Sequence, residues 1–182
     1  NTDFFGFRNC ERALLVGNPP FGHASHLAVK FFNHAAVNGA QIIAFVLPRT
    51  FRKRSVQNRL NRSFHLAREY EVPARAFLLG GQEHDVPCIF QIWIRSNELR
   101  SIRTVQSSAW IEFTRPEDAD HAMRRVGRRA GDILCGTDHS RSTTHFFKVT
   151  HPAVLEVLRE NDEIKALSQC TAGTHSISKR EI

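Results

Sequence analysis

Short apolar runs alternate with one amphipathic stretch along the first third of the chain. Ala13-Leu14-Leu15-Val16 is wholly apolar and is stopped by Gly17. A run of that length reads as a strand covered on both faces, as in a parallel sheet. Beyond Pro19-Pro20, the residues Leu27, Ala28, Phe31, Phe32, Ala35 and Ala36 recur at the spacing of one helix face. Asn38-Gly39 ends that helix, because both residues tolerate the left-handed conformation of a helix C-terminus. Ile42 to Leu47 is a second buried strand, closed by Pro48. Strand, helix and strand in this order predict a βαβ unit with a right-handed crossover.

From Arg49 to Arg68 the chain is polar and rich in arginine, which predicts a loop followed by a helix around Val56, Leu60, Phe64 and Leu66-Ala67. Ala76–Leu79 and Cys88–Ile94 read as two more strands, joined by the turn-rich Gly80-Gly81-Gln82-Glu83-His84-Asp85. Residues 1–96 are therefore expected to form the later half of a doubly wound α/β sheet that ends in a β-hairpin. An earlier half would carry a Gly-rich first strand-to-helix turn, and residues 1–11 are too short to hold one. The pattern changes over 97–182, where an α+β extension is expected, a candidate substrate-binding segment. Its elements are a strand at Trp110–Phe113, a helix from Pro116 to Val126 with an acidic first turn, strands at Ile133–Cys135 and His145–Val149, and a helix from Pro152 to Arg159. The tail from Thr171 reads as loose.

An apolar fraction of 41% and a charged fraction of 24% over 182 residues belong to an ordinary globular chain. No apolar run approaches the roughly 20 residues of a membrane span, and the first residues lack the pattern of a signal peptide. A cytoplasmic location, or a nuclear one in a eukaryote, is the expectation, with no membrane partner. The chain opens Asn1-Thr2-Asp3 without methionine, as expected of a processed or excised piece. Cys10, Cys88, Cys135 and Cys170 are dispersed and form no C-x-x-C pair, so buried thiols are favoured over disulfides. Twenty-five basic residues against 18 acidic ones give +7, which tilts the expected partner toward a polyanion.

The candidate chemistry sits in Asn18-Pro19-Pro20-Phe21, directly after the first strand. In open α/β sheets ligands lie beyond the carboxyl ends of the strands. An exocyclic adenine amine is a poor nucleophile, because its lone pair is delocalised into the ring. Two acceptors on its N–H groups draw the nitrogen toward a tetrahedral shape. The Asn18 side-chain carbonyl and the Pro19 backbone carbonyl can be those acceptors, Pro20 stiffens the turn, and Phe21 offers a face for base stacking. The tetrapeptide with its preceding strand, following helix and Pro-terminated next strand resembles motif IV of the S-adenosylmethionine-dependent amino-group methyltransferases, N6-adenine type. The resemblance covers roughly residues 1–95. It implies a Rossmann-like methyltransferase sheet, S-adenosyl-L-methionine as cofactor, DNA or RNA as substrate, and a base extruded from the duplex or taken from a single strand. It also places Asp3, in Asp3-Phe4-Phe5, where such enzymes carry a cofactor-binding acidic residue.

Two departures qualify what the resemblance implies. The aromatic often found before the last hairpin strand is absent unless Phe77 or His84 replaces it. The Gly-rich cofactor turn is absent too, so the cofactor pocket is expected from a missing N-terminal segment or a partner chain. Arg49, Arg52, Lys53 and Arg54 follow the second strand and share the loop's edge of the sheet, which makes them the expected phosphate contacts. Arg124, Arg125, Arg128 and Arg129 form a second cluster that reads as a solvated face. His23 and His26 read as solvated first-turn residues, and no metal site is assigned. Two other readings stay open: a protein glutamine N5-methyltransferase, which uses a similar loop on a carboxamide, and a catalytically inactive methyltransferase-like subunit that binds nucleic acid.

Overall fold

A computed structural model describes residues 3–102, 109–171 and 174–182. The protein is mixed α/β and falls into two compact units, residues 1–103 and 104–182. The first runs β1 (Leu14–Gly17), α1 (His26–Val37), β2 (Ile42–Pro48), a one-turn α2 (Arg54–Gln57), β3 (Phe64–Glu71), β4 (Phe77–Leu79), β5 (Gln82–His84) and β6 (Cys88–Arg95). Its main sheet has the order β1-β2-β6-β3. β1 and β2 are parallel, with Leu14 opposite Ile42 and Gly17 opposite Phe45. β6 is antiparallel to both β2 and β3. The expected strand–helix–strand unit is present, but the expected hairpin of 76–79 with 88–94 is not: β6 pairs with β2 and β3, and β4 pairs with β5.

The expected helix around Val56–Ala67 is not. Only Arg54–Gln57 is helical, and Phe64 opens a strand. Val56, Leu60 and Phe64 are all buried at a helix-like spacing, but the backbone turns between them. Asn61 donates its N–H to the Asn33 side chain and accepts the Ser63 N–H on its own, at 2.8 and 3.0 Å. That local bonding competes with a helix. Pairing with β6 then decides the conformation of 64–71, with a bulge between Leu66 and Arg68. The connection at 80–85 also differs from expectation, since part of it is the strand β5 of a separate two-stranded sheet with β4.

One face of the main sheet holds the core. α1 buries Ala28, Val29, Phe32, Ala35 and Ala36 against Ile43, Phe45, Leu47, Phe64, Ile89 and Trp93. Phe32 meets Phe64 and Trp93 edge-on, each at 5.5 Å between ring centroids. The Trp93 indole donates to the Gln91 carbonyl at 3.0 Å, and the Gln91 amide donates to Glu69 at 2.7 Å, so these two buried side chains are partnered. The Arg95 guanidinium donates to the carbonyls of Ala36 and Ala40 and satisfies the C-terminal end of α1. The opposite face is only partly covered. Leu14 and Val16 are 57% and 66% exposed, against the expectation of a strand buried on both sides. β1 lies at the sheet's edge, and α1 packs on the face that carries Leu15, not the one that carries its neighbours.

The second unit contains β7 (Ile111–Phe113), β8 (His121–Arg124), β9 (Ile133–Leu134), β10 (Thr144–Val149), α3 (Pro152–Glu160) and α4 (Asp162–Gln169). Its sheet is antiparallel with the order β7-β10-β8-β9. Met123, Phe147, Leu158, Ile164 and Ile177 form its core. The helix expected over Pro116–Val126 is instead a 3-10 turn at Pro116–Asp118 followed by β8. Ala122 and Met123 are buried while β8 pairs on both sides with β10 and β9, and that pairing overrides the helix-like start. The tail is also tied down: Ile177 is buried, and its carbonyl accepts the His145 Nε2–H at 2.9 Å. Pro152 opens α3 as expected, and the Asn161 side chain caps α4.

Phe32→Ala should remove the ring on which the first unit's core closes. Chemical denaturation should show a loss of about 3–5 kcal/mol. A loss under about 1 kcal/mol would mean that α1 does not hold this sheet.

Candidate active site

Gly17 ends β1 and hands the chain to Asn18, which is exposed; Pro19 is buried, Pro20 exposed and Phe21 half-buried against the core. The Phe21 carbonyl accepts the N–H groups of Leu27 and Ala28 at 3.1 and 3.3 Å, which folds the loop back onto the start of α1. The intervening backbone is strained. Gly22 has φ 66° and ψ 177°, a region open to glycine almost alone, and a Cβ there would lie 2.8 Å from Leu27 Cγ. Ala24 and Ser25 follow with φ of 49° and 61°, two consecutive left-handed residues. Such residues cost of order 1–3 kcal/mol each and persist where their surroundings over-determine them. Here the surroundings are specific. The buried Ser25 hydroxyl bonds the Thr50 hydroxyl at 2.5 Å, and Arg59 Nη1 reaches the Ala24 carbonyl at 3.4 Å.

The result is a constrained turn that exposes Asn18 and buries Pro19. Among the described residues, neither the Asn18 side chain nor the Pro19 carbonyl is engaged in a hydrogen bond. Phe21 divides its ring between core and surface. His23 and His26 are exposed on the first turn. Among the described residues no three His, Cys, Asp or Glu side chains gather into a metal-binding group. All four cysteines are free thiols, and burial pushes Cys88 up to about 11.

The contacts through Thr50 and Arg59 set the segment 49–59 beside the loop, but its cations differ in what they face. Arg49 pairs with Glu71 at 3.0 Å, and Arg52 pairs with Glu69 and Glu71 at 2.8 and 2.5 Å. The hydrogen bond from Arg52 holds the Glu71 carboxyl below its usual range. Lys53 is only 8% exposed. Arg54 is exposed and in no ion pair among the described residues, and Arg59 is exposed beside Ala24. Of the four expected contacts, Arg54 alone presents an unspent charge, and Arg59 joins it. Spacing along the chain did not single out Arg59, because its approach to the loop depends on the turn after α2.

Residues 1–103 contain 14 Lys and Arg against 7 Asp and Glu, a difference of +7, whereas residues 104–182 contain 11 of each. The whole excess charge belongs to the unit with the loop. In the second cluster Arg129 pairs with Asp132 at 2.9 Å and Arg124 donates to Thr143, while Arg125 and Arg128 are exposed.

Asp3 is exposed at the start of a 3-10 turn. Its carboxylate caps the 3-10 turn Phe4–Gly6 by accepting the Phe5 N–H at 3.2 Å. Phe4 stacks on Phe31 at 4.8 Å, and the Phe7 carbonyl accepts from His34. The turn that Asp3 caps is thus packed on α1 through Phe4 and Phe7. A surface cleft of about 370 Å³, lined by Glu11, Arg12, Gln41 and Arg95 among others, opens at the other end of β1 and β2. Comparison with family models, with curated protein sequences and with solved structures returns no match for this chain.

Since Arg52 is held by two carboxylates, Arg52→Gln should lower stability at pH 7 by about 1 kcal/mol in chemical denaturation. Glu71 has a depressed value in the folded chain, so its contribution is present above the ordinary glutamate value of about 4.3 and is lost as pH falls through the folded value. The gap between variant and wild type should therefore narrow in acid. Unchanged stability at pH 7 would mean that these ion pairs do not hold the segment to β3.

Proposed function

We propose that this chain is the target-amino half of an S-adenosyl-L-methionine-dependent methyltransferase that acts on adenine N6 of nucleic acid. One observation carries the reading: the Asn18 side chain and the Pro19 carbonyl stand unbonded at the carboxyl edge of a parallel strand pair, on a turn that strain and tertiary contacts keep from relaxing. Support comes from the order of elements, a parallel strand–helix–strand unit followed by an antiparallel strand inserted between β2 and β3. Further support is the placement of the full +7 in the same unit.

The chain's own residues do one part of the reaction. Asn18 Oδ1 and the Pro19 oxygen accept the two N–H groups of the adenine amine and draw its nitrogen out of conjugation. No base of unusual strength is needed, since the acceptors act by position and preorganised charge. The exposed part of the Phe21 ring carries the base, and Arg54 with Arg59 takes phosphate.

The cofactor-binding turn is expected outside residues 13–95. Among the described residues no strand with a Gly-rich turn precedes β1. The outer edge of β1 is unpaired among the described residues, and Leu14 and Val16 are open beside it. We place the cofactor on a further part of the sheet, joined at that edge by a preceding segment or a partner chain. The same open edge supports a second reading, a methyltransferase-like subunit that binds nucleic acid without transfer. The basic unit favours nucleic acid over a glutamine side chain as the substrate.

With the cofactor-binding half present, Asn18→Ala should lower transfer to adenine by about 100-fold or more while leaving nucleic-acid affinity nearly unchanged. Arg54→Glu with Arg59→Glu should instead weaken binding and reduce the slope of log affinity against log salt by about two. Full transfer by the Asn18 variant would sink the mechanism, and an unaltered salt slope would move the strand elsewhere.

A further inference from the structure

We propose that the β4–β5 hairpin is a wedge that enters duplex DNA beside the target adenine and holds the base stack open. The proposal rests on the nucleic-acid reading above and adds a second contact site to it. The two strands pair only with each other, Leu78 opposite Glu83 and Leu79 opposite Gln82. Gly80 and Gly81 make the turn with φ of 59° and 82°, as a tight two-residue hairpin turn requires. A Cβ built on either glycine meets nothing within 4 Å, so the tip stands clear of the rest of the chain.

Each face of the tip carries one exposed leucine beside a polar cross-strand partner, Leu78 with Glu83, which pairs with Arg75 at 3.8 Å, and Leu79 with Gln82. Successive residues of a strand point to opposite sides, and Leu78 and Leu79 are 73% and 68% exposed. A hairpin that completes a core shows one apolar face and buries it; this one buries neither leucine. Its root is at the loop's edge of the sheet. The Val72 N–H donates to the Cys88 carbonyl at 3.2 Å, the Arg49 N–H donates to the Pro87 carbonyl at 3.3 Å, and Cys88 lies opposite Pro48 at the end of β2. β1 runs parallel to β2, so Asn18 leaves the sheet at that same edge.

The occupant follows from this placement. Enzymes that modify a base in a duplex must take it out of the stack, and leucine is among the apolar side chains that wedge between base steps. A two-stranded ribbon fits the B-form major groove, whereas the A-form groove of duplex RNA is too narrow to admit one. Exposed Arg54 and Arg59, in the unit that carries the excess positive charge, supply the attraction to phosphate that brings the groove to the tip.

The test is a duplex with 2-aminopurine at the methylated adenine, alongside the matching single strand and RNA duplex. Wild type should raise 2-aminopurine fluorescence several-fold in the DNA duplex. Leu78→Ser with Leu79→Ser should abolish the rise and lower duplex affinity about tenfold relative to single strand. Leu78→Phe with Leu79→Phe should keep both. The serine variant removes no buried contact, and an unchanged melting temperature checks that it folds. An undiminished rise in the serine variant overturns the wedge and leaves the methyltransferase reading standing. So does equal loss on duplex and single strand, or a rise seen on RNA alone. A variant that keeps full DNA behaviour but loses a protein subunit assigns the hairpin to a protein interface and overturns the wedge too. Failure of wild type to bind any nucleic acid would remove the underlying reading as well.

Discussion

The turn from β1 into α1 cannot relax, and the candidate chemistry depends on that. Gly22, Ala24 and Ser25 all sit at positive φ. A helix that began in the ordinary way after Phe21 would avoid this strain. It is held instead by the bond between Ser25 and Thr50, by Arg59 on the Ala24 carbonyl and by the Phe21 carbonyl on the first turn of α1. With the turn fixed and Pro19 buried in it, Asn18 projects from a rigid base. Two oxygens that need no reorganisation to meet an amine are worth more than the same oxygens on a mobile loop.

Those same contacts join the two halves of the site. Thr50 and Arg59 belong to the segment after β2, so the β1 loop and the arginine-rich stretch are one structure rather than two neighbours. Within that stretch the charges separate by function. Glu69 and Glu71 take up Arg49 and Arg52, and Glu69 is itself held by Gln91 and through it Trp93. The ion pairs therefore tie the stretch to the sheet, while Arg54 and Arg59 keep their charge for the surface. The sheet is finished on the side of α1 and unfinished beside Leu14 and Val16, which is the physical reason for assigning the methyl donor to another part of the sheet.

Much of this is legible in the sequence. The strands at 13–16 and 42–47 and the helix between them were marked by apolar period and by Gly17, Asn38-Gly39 and Pro48. The turn at 18–21 was marked by its prolines. What failed to read was decided by partners distant in sequence. Phe64 continues a helical spacing from Val56 and Leu60, and only Asn33, bonding Asn61, and β6, pairing with 64–71, make it a strand. Met123 likewise follows an acidic first turn but is drawn into a sheet by β10. The exposure of Leu14 and Val16 was hidden because an apolar run does not say how many layers cover it. The division among the arginines was hidden because Glu69 and Glu71 reach Arg49 and Arg52 from another strand.

The central claim is that Asn18 accepts a hydrogen from an adenine amine. The most direct measurement follows the Asn18 side-chain amide resonances while the protein is titrated with oligonucleotides containing one adenine, one N6,N6-dimethyladenine or one purine lacking the amino group. A saturable shift is expected with adenine and none with the two bases that have no amino hydrogen to donate. Equal shifts with all three, or none with adenine at concentrations where the strand is bound, would contradict it.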